Sequence, residues 1–197
     1  MTEKMQDPSL FSRASCCCLF SLLTLLATTH LAVSAKTMDI ISLTCEKCSR
    51  ESPVLNYTFC SVSLQAVPVS HFTNLQGLGI ISMELALVNA TTTISSIEKM
   101  VSNGSLDPFQ LDCLRDCLVL YLDASKTLVD AIGAFMVGRY GVANMQVSAA
   151  MEAATTCEDG FEEREEVCPL TMENYDLFQL CDIARCIIRF LSLNIPS

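Results

Sequence analysis

Apolar residues recur at alternating spacings of three and four along most of the chain, a pattern typical of amphipathic helices. The clearest stripe covers residues 111–135. Its members are Leu111, Leu114, Leu118, Tyr121, Ser125, Leu128, Ile132 and Phe135. Asp107-Pro108 predicts the helix start, as an N-cap acceptor followed by a first-turn proline. Gly138 and Gly141 mark its predicted end.

Three further segments have helical periodicity. Residues 70–101 place Phe72, Leu75, Leu78, Leu85 and Val88 on one stripe, and residues 173–193 place Leu177, Leu180, Ala184, Ile187 and Leu191. Residues 142–161 have an inner face of small side chains: Ala149, Ala150, Ala153 and Thr156. Long helices with short connections predict an all-α, antiparallel four-helix bundle.

Residues 38–67 form a separate predicted unit before the bundle. Two short amphipathic stretches, residues 39–51 and 56–65, are joined across Ser52-Pro53. This predicts a helical hairpin, which is too small to bury a core alone and needs a cross-link or a docking surface. We therefore divide the chain into a hairpin at residues 36–67 and a bundle at residues 68–197, which together form one domain.

The first 35 residues have the pattern of a secretory signal peptide. A weakly basic start precedes an apolar run from residue 16, which ends in Val33-Ser34-Ala35. Small residues there predict cleavage after Ala35. A membrane anchor is the alternative, but the polar Thr28-Thr29-His30 disfavours a span. No second apolar stretch of spanning length is expected, so the mature protein should be soluble and make no membrane contact.

Export would place the remaining nine cysteines in an oxidising compartment, where disulfides are the default. Because nine is odd, at least one thiol stays free or pairs outside the chain. Cys45-Glu46-Lys47-Cys48 is a CxxC motif, but no second CxxC or histidine pair follows at metal-ligand spacing. No βαβ pattern suggests a thioredoxin-like site. We expect neither a metal nor a cofactor.

Three N-glycosylation sequons, at Asn56, Asn89 and Asn103, agree with a secreted glycoprotein. Asn103 lies in a polar Ser-Asn-Gly-Ser turn and is the strongest of these candidates. The charges of the leader cancel, so the rest of the chain keeps the formal net charge of −10. An acidic domain repels nucleic acid and anionic membranes, and it favours neutral or basic partners.

Catalytic groups are not assembled by the sequence. His71 is the single histidine after the leader, and no GxSxG motif is present. Acid pairs exist, such as Asp112 and Asp116, but the glutamates at positions 162, 163, 165 and 166 surround Arg164 in what reads as a solvated linker. We expect that the protein is not an enzyme.

Several distinct motifs lie along the predicted helices. They are Thr44-Cys45 with Tyr57 and Cys60, Asp116-Cys117-Leu118-Val119-Leu120-Tyr121-Leu122-Asp123-Ala124, Val147-Ser148-Ala149-Ala150, Thr156-Cys157-Glu158-Asp159-Gly160-Phe161, and Leu180-Cys181. In this combination the chain resembles the plant invertase/pectin methylesterase inhibitor family over its whole mature length. It is most similar to the pollen-allergen subgroup described as invertase inhibitors, through Ser52-Pro53, Asn56-Tyr57 and Leu75-Gln76-Gly77-Leu78-Gly79.

The resemblance implies two disulfides, Cys45–Cys60 and Cys117–Cys157. They would close loops of about 15 and 40 residues, for which chain-entropy estimates give roughly 3 and 4 kcal/mol. Five cysteines keep no assigned partner: Cys48, Cys113, Cys168, Cys181 and Cys186. Each is a free thiol, a small buried apolar residue or part of an extra bridge, and Cys113 could compete with Cys117 for Cys157.

The resemblance also implies function. Such a protein is secreted to the apoplast or cell wall, is monomeric when free, and inhibits acid invertase or pectin methylesterase by occluding the substrate groove. Invertase-inhibiting members can carry Pro-Lys-Phe before the third long helix. In this chain Tyr140-Gly141-Val142 occupies that place, directly after Arg139. We predict that these four residues contact the target enzyme. Because the lysine is missing, the choice between the two enzymes stays open. The alternatives are a pollen or structural protein without inhibition, or a small-ligand carrier.

Overall fold

The computed structural model describes residues 39–104 and 106–193, which form six α-helices and one 3-10 helix. The helices of the hairpin are α1 (Ile40–Glu51) and α2 (Tyr57–Gln65), and the 3-10 helix covers Pro68–Phe72. Four long helices follow: α3 (Leu75–Ser102), α4 (Pro108–Met136), α5 (Tyr140–Glu162) and α6 (Thr171–Leu193). The described residues contain no strand, in agreement with the all-α prediction. The predicted signal peptide lies outside the described residues.

The four long helices form an antiparallel bundle. Each packs against the next along the chain, and α6 also packs against α3, so the four close around one core. Residues 103–107, 137–139 and 163–170 connect them, and links this short place consecutive helices antiparallel. The hairpin packs mainly against α6.

Side-chain caps mark where four of the helices begin, the first being α1, where Asp39 Oδ1 accepts the N–H of Ile41 at 3.5 Å. Asn56 caps α2 and Asn74 caps α3, each accepting a backbone N–H from the first turn. Asp107 caps α4: its Oδ1 accepts the N–H groups of Phe109 and Gln110 at 2.8 and 3.0 Å, and Pro108 occupies the first helical position. The predicted start of α4 is therefore confirmed, because these acceptors satisfy donors that have no partner within the helix.

On α4, only every second residue of the predicted apolar stripe is fully buried. Leu114, Tyr121, Leu128 and Phe135 are fully buried, but the residues between them on the core face are small: Cys117, Ala124 and Ala131. The predicted Leu118, Ser125 and Ile132 are only half-buried at its border.

The predicted stripe of α3 was wrong at both ends. Phe72 lies in the 3-10 helix and is 90% exposed, and Val88 is 60% exposed. Asn74 caps α3, so this helix begins at Leu75 and not at residue 70. Its core face consists largely of small residues: Gly79, Ser82, Ala86, Ala90 and Thr93. A Cβ on Gly79 would lie 2.7 Å from Cζ of Phe135, so α3 and α4 are in close contact there.

The small-residue face of α5 is present but rotated from its predicted position. Ala150 and Ala153 are buried as expected, whereas Ala149 and Thr156 are exposed. The buried face continues through Ala143, Val147, Ala154, Cys157 and Phe161. On α6 the predicted stripe is buried except for Leu191, which is half-buried.

Helix α3 also corrects the expectation that no further stretch of spanning length follows the leader. By length and composition alone it would qualify as a membrane span, with a mean hydropathy of 1.3. Its buried side chains pack in the bundle core. Core helices of soluble bundles commonly have this composition.

Candidate functional site

The turn between α4 and α5 is a tight, well-defined corner at one end of the bundle. Gly138 has a φ of 75°, its N–H donates to the carbonyl of Phe135 at 3.0 Å, and the N–H of Arg139 donates to Ala134 at 2.9 Å. These two bonds form a Schellman motif, which ends a helix with a residue in the left-handed region. The glycine at position 138, which predicted the end of the helix, is thus explained by the left-handed backbone conformation of that residue.

The four predicted target-contact residues sit at this corner with different exposure. Arg139 and Gly141 are exposed, while Tyr140 and Val142 are half-buried. The ring of Tyr140 packs edge-on against Phe135, with centroids 5.2 Å apart. Tyr140 therefore anchors the start of α5, and the side chain free to meet another molecule is that of Arg139.

The stretch of sequence around Arg139 is largely apolar and carries no other charge. Residues 131–151 contain no other charged side chain. Met136, Val137 and Met145 are 62%, 70% and 66% exposed. This segment, which we call the turn end, combines one cation with exposed apolar side chains.

A pocket of about 390 Å³ adjoins the turn end. Tyr140, Gly141 and Asn144 of α5 form one side, and the hairpin joint at Ser52-Pro53 forms another. The second half of α6 completes it with Asp182, Arg185, Arg189 and Ser192. The pocket therefore brings together the hairpin, α5 and α6.

Three disulfides cross-link the domain, one more than the resemblance implied. The structure joins Cys45 to Cys60 and Cys117 to Cys157, which are the two implied pairs. It also joins Cys48 of α1 to Cys186 of α6, with Cα atoms 5.7 Å apart and 138 residues between them in sequence. This third bond adds to the two implied bridges the extra one that the sequence left open, and both cysteines of the CxxC motif are oxidised.

Polar contacts also hold the hairpin against α6. Gln179 is 2% exposed, and its amide accepts the N–H of Asn56 and donates to the carbonyl of Val54, both at 2.8 Å. The hydroxyl of Ser52 donates to Asp182 at 2.6 Å, and Glu51 pairs with Arg189. These contacts satisfy the backbone of the hairpin joint, so the side chains of α6 determine how the hairpin docks.

The opposite end of the bundle is strongly acidic. Residues 107–116 and 158–176 hold eleven Asp and Glu side chains and two Arg side chains, and we call them the acidic end. Behind it, the Tyr121 hydroxyl donates to Asn174 Oδ1 at 2.7 Å, and Asn174 Nδ2 donates to Glu158 at 2.6 Å. Burial raises the pKa of Tyr121 far above its ordinary value, so the hydroxyl stays a donor.

The three remaining thiols among the described residues differ in exposure. Cys168 and Cys181 are buried, and Cys113 is half-buried with its Sγ 3.4 Å from the carbonyl oxygen of Gly160. Burial raises the pKa of Cys168 to about 11 and that of Cys181 to about 12. Burial and neighbouring carboxylates, first Asp116, also raise the pKa of Cys113. Because the thiolate is the reactive form, these thiols are poor nucleophiles at neutral pH.

The candidate catalytic groups are not brought together. His71 is exposed, and its Nε2 lies 3.4 Å from the carbonyl oxygen of Gln65. The glutamates of the α5–α6 connection are exposed to solvent. Among the described residues there is no cluster of His, Cys, Asp or Glu suited to a metal ion.

The three sequons differ in accessibility. Asn103 is exposed at the C-cap of α3. Asn56 is exposed and uses its Oδ1 to cap α2, with the N–H of Phe59 at 3.1 Å. Asn89 is half-buried within α3, and its Oδ1 is buried. The structure therefore favours Asn56 and Asn103 as glycan acceptors over Asn89.

Comparison with known proteins agrees with this architecture. The family model described as "Plant invertase/pectin methylesterase inhibitor" matches residues 39–187. The chain belongs to this family. Its members inhibit enzymes and are not enzymes themselves, and the same holds for this family member.

Individual relatives carry both inhibitor names. A protein of Platanus acerifolia named "Putative invertase inhibitor" is 40% identical over 177 residues, covering 89% of this chain and 95% of the relative. A "Pectinesterase inhibitor" of Actinidia deliciosa is 33% identical over 138 residues, covering 69% and 74%. The crystal structure of a mutant pectin methylesterase inhibitor from Arabidopsis superposes with a TM-score of 0.63 at 26% identity, covering 76% of this chain and 98% of that one.

Proposed function

We propose that this protein is secreted and inhibits acid invertase or pectin methylesterase by placing its turn end in the substrate groove of the enzyme. The observation that carries the proposal is the turn end itself. Arg139 is the one charged side chain of residues 131–151; it is exposed, as are Met136, Val137 and Met145 of the same segment. Methionine and arginine are enriched in the centres of protein interfaces, so this corner has the composition of a binding site.

Rigidity supports the same assignment. The Schellman motif fixes the corner, Tyr140 packs on Phe135, and the disulfide Cys117–Cys157 joins the two helices that carry it. A contact surface that is ordered before binding loses less conformational entropy in the complex. A protruding preformed corner is therefore suited to filling a groove in a stoichiometric complex.

The target is open between the two enzymes. Arg139 suits a groove lined by carboxylates, such as the acidic cleft of a glycoside hydrolase. The net charge of −10 favours long-range attraction to a basic enzyme, which suits pectin methylesterases. Because these arguments point in different directions, the experiment must include both enzymes.

The decisive experiment titrates the secreted chain, expressed with its disulfides, against extracellular invertase and pectin methylesterase in parallel. We expect one activity to fall to baseline near equimolar inhibitor. Loss of neither activity at molar excess would reject inhibition and leave a structural or pollen protein of this fold. Arg139→Gln should weaken the inhibition about tenfold or more, because it removes a charged contact.

Arg115→Gln is the matched control for Arg139→Gln, since Arg115 is an exposed arginine near the acidic end that pairs with Asp112. It should inhibit as the parent does. Equal inhibition by Arg139→Gln and the parent would show that another surface meets the enzyme. Glycans at Asn56 and Asn103, both outside the turn end, are compatible with this binding mode.

The carrier alternative requires open space in the core. Tyr121, Phe135 and Phe161 are fully buried there and fill the space between the helices. We therefore propose a protein ligand and not a small molecule. We also propose that the free inhibitor is a monomer in the apoplast or cell wall.

A further inference from the structure

Arg185 of α6 has a guanidinium group whose donors are mostly unused. Its Nη1 donates to the sulfur of Met151 at 3.6 Å and forms a loose ion pair with Asp182, whose Oδ1 lies 3.9 Å away. Its Nε is buried and has no hydrogen-bond partner among the described residues. A guanidinium presents five N–H donors, and the terminal Nη groups, not the buried Nε–H, are the donors that a ligand can reach.

The two carboxylates that share the pocket with Arg185 each have a closer partner than Arg185. Asp182 accepts the hydroxyl of Ser52 through Oδ2 at 2.6 Å. Glu51 pairs with Arg189 on the next turn of α6. The Arg185 side chain is 35% exposed, so it is reachable from solvent while the two acids of the pocket are held by other groups.

The location of Arg185 connects it with the turn end. Tyr140 and Gly141 line the same pocket of about 390 Å³. A molecule that contacts Arg139 at the corner therefore lies beside the pocket opening. The hydroxyl of Ser192 and the amide of Asn144 also line this pocket.

We propose that Arg185 receives one carboxylate, presented by an aspartate or glutamate side chain of the inhibited enzyme. The planar fork of a guanidinium matches a carboxylate in a two-bond geometry. A protein side chain fits better than an acidic polysaccharide, because the net charge of −10 repels a polyanion but tolerates a single carboxylate. This inference rests on the proposed inhibition and names a second point of contact in addition to Arg139.

Inhibition by Arg185→Gln and Arg185→Lys tests the contact with the enzyme. We expect Arg185→Gln to raise the inhibition constant at least tenfold, and Arg185→Lys to recover part of the loss because it keeps the charge without the fork. Arg115→Gln should leave inhibition unchanged, and circular dichroism with thermal unfolding should show that all three variants fold. Parent-like inhibition by folded Arg185→Gln would overturn the proposal.

A titration of the parent chain with acetate separates this inference from the proposed function. The NMR signals of the Arg185 guanidinium, read at its Nη–H groups, should shift and saturate with acetate, and not with chloride at equal ionic strength. A chain that inhibits neither enzyme but shows this shift would keep the carboxylate site and reject the enzyme as its source. An unshifted Arg185 signal would overturn the site itself, whether or not the chain inhibits.

Discussion

The two ends of the bundle differ in charge and in how the chain turns. At the turn end, three residues connect α4 to α5 and a single arginine is the only charge over residues 131–151. At the acidic end, residues 163–170 connect α5 to α6 beside eleven carboxylates and two arginines. Most of the net charge of the domain therefore comes from the acidic end.

The acidic end therefore bears on solubility, and the turn end on contact with a partner. A concentrated negative field keeps a protein soluble and steers its approach to a basic partner, whereas the final contact depends on exposed apolar area and on individual charges. The described residues place most of the negative charge at one end, and Arg139 with the exposed Met136, Val137 and Met145 at the other. An acidic inhibitor can thus present a cationic corner to an acidic groove.

The disulfides provide the test with the largest expected effect on stability. Cys48–Cys186, near the turn end, closes 138 residues, and Cys117–Cys157, near the acidic end, closes 40. Chain-entropy estimates give about 5 and about 4 kcal/mol, respectively. We expect the double alanine variant of the first pair to lose more unfolding free energy than that of the second, measured by guanidinium unfolding.

Cys181→Ala is the control for these variants, because Cys181 is fully buried without a disulfide. It measures the loss of a buried sulfur alone, which we expect to cost about 1 kcal/mol. If removing Cys48–Cys186 costs no more than the control, the hairpin is held by its polar contacts with α6 and the bridge adds nothing.

Tyr121→Phe tests the buried network behind the acidic end. The variant leaves Asn174 Oδ1 without its donor at a buried site, which should cost about 1–3 kcal/mol. Tyr57→Phe is the matched control, since Tyr57 is 44% exposed, and it should change stability by about 0.5 kcal/mol or less. Equal urea midpoints for the two variants would show that the network does not stabilise the fold.

Asp176→Asn should produce the smallest effect, and one that depends on pH. Burial, followed by the charge of Glu173, raises the pKa of Asp176 above its ordinary value. The folded state then binds this proton more tightly than the unfolded state, so stability is lost as the pH rises through the raised pKa. The variant should be more stable than the parent at pH 7, by about 0.5 kcal/mol or less.

This gain should vanish below about pH 4, where the carboxyl is protonated in both states. Denaturant unfolding at pH 7 and pH 3.5 measures the difference. Asp130→Asn, at an exposed position on α4, is the control. A gain that persists at pH 3.5 would mean that the amide packs better, and that charge at the acidic end is not responsible.

The sequence predicted the helices better than the faces they bury. The spacing of large apolar residues shows that α4 is a helix, but it does not fix which side of the helix faces the core to better than part of a turn. Leu118 and Ile132 were therefore predicted to be on the core face, where the structure has Ala124 and Ala131. Val88 was misplaced on α3 for a similar reason. Small side chains carry a weak hydrophobic signal, yet they mark the places where helices come closest.

The third disulfide could not be predicted from sequence, because it depends on how the hairpin docks on α6. Cys48 lies one helical turn after Cys45, and Cys186 is adjacent to Ile187, which was predicted to be buried. These positions are only a weak indication that Cys48 and Cys186 face the core. Arg185 was also missed. Its role depends on Tyr140, Ser52 and Asp182 meeting in one pocket, and these residues are far apart in sequence.

The bond between Cys48 and Cys186 also determines what happens when the backbone is cut. The connections between helices are the segments that proteases reach, and Val167 in the last of them is 86% exposed. Because this bond joins the first helix to the last, a single cut in any connection leaves two pieces that are still covalently linked. Nicked molecules would therefore remain whole until their disulfides are reduced.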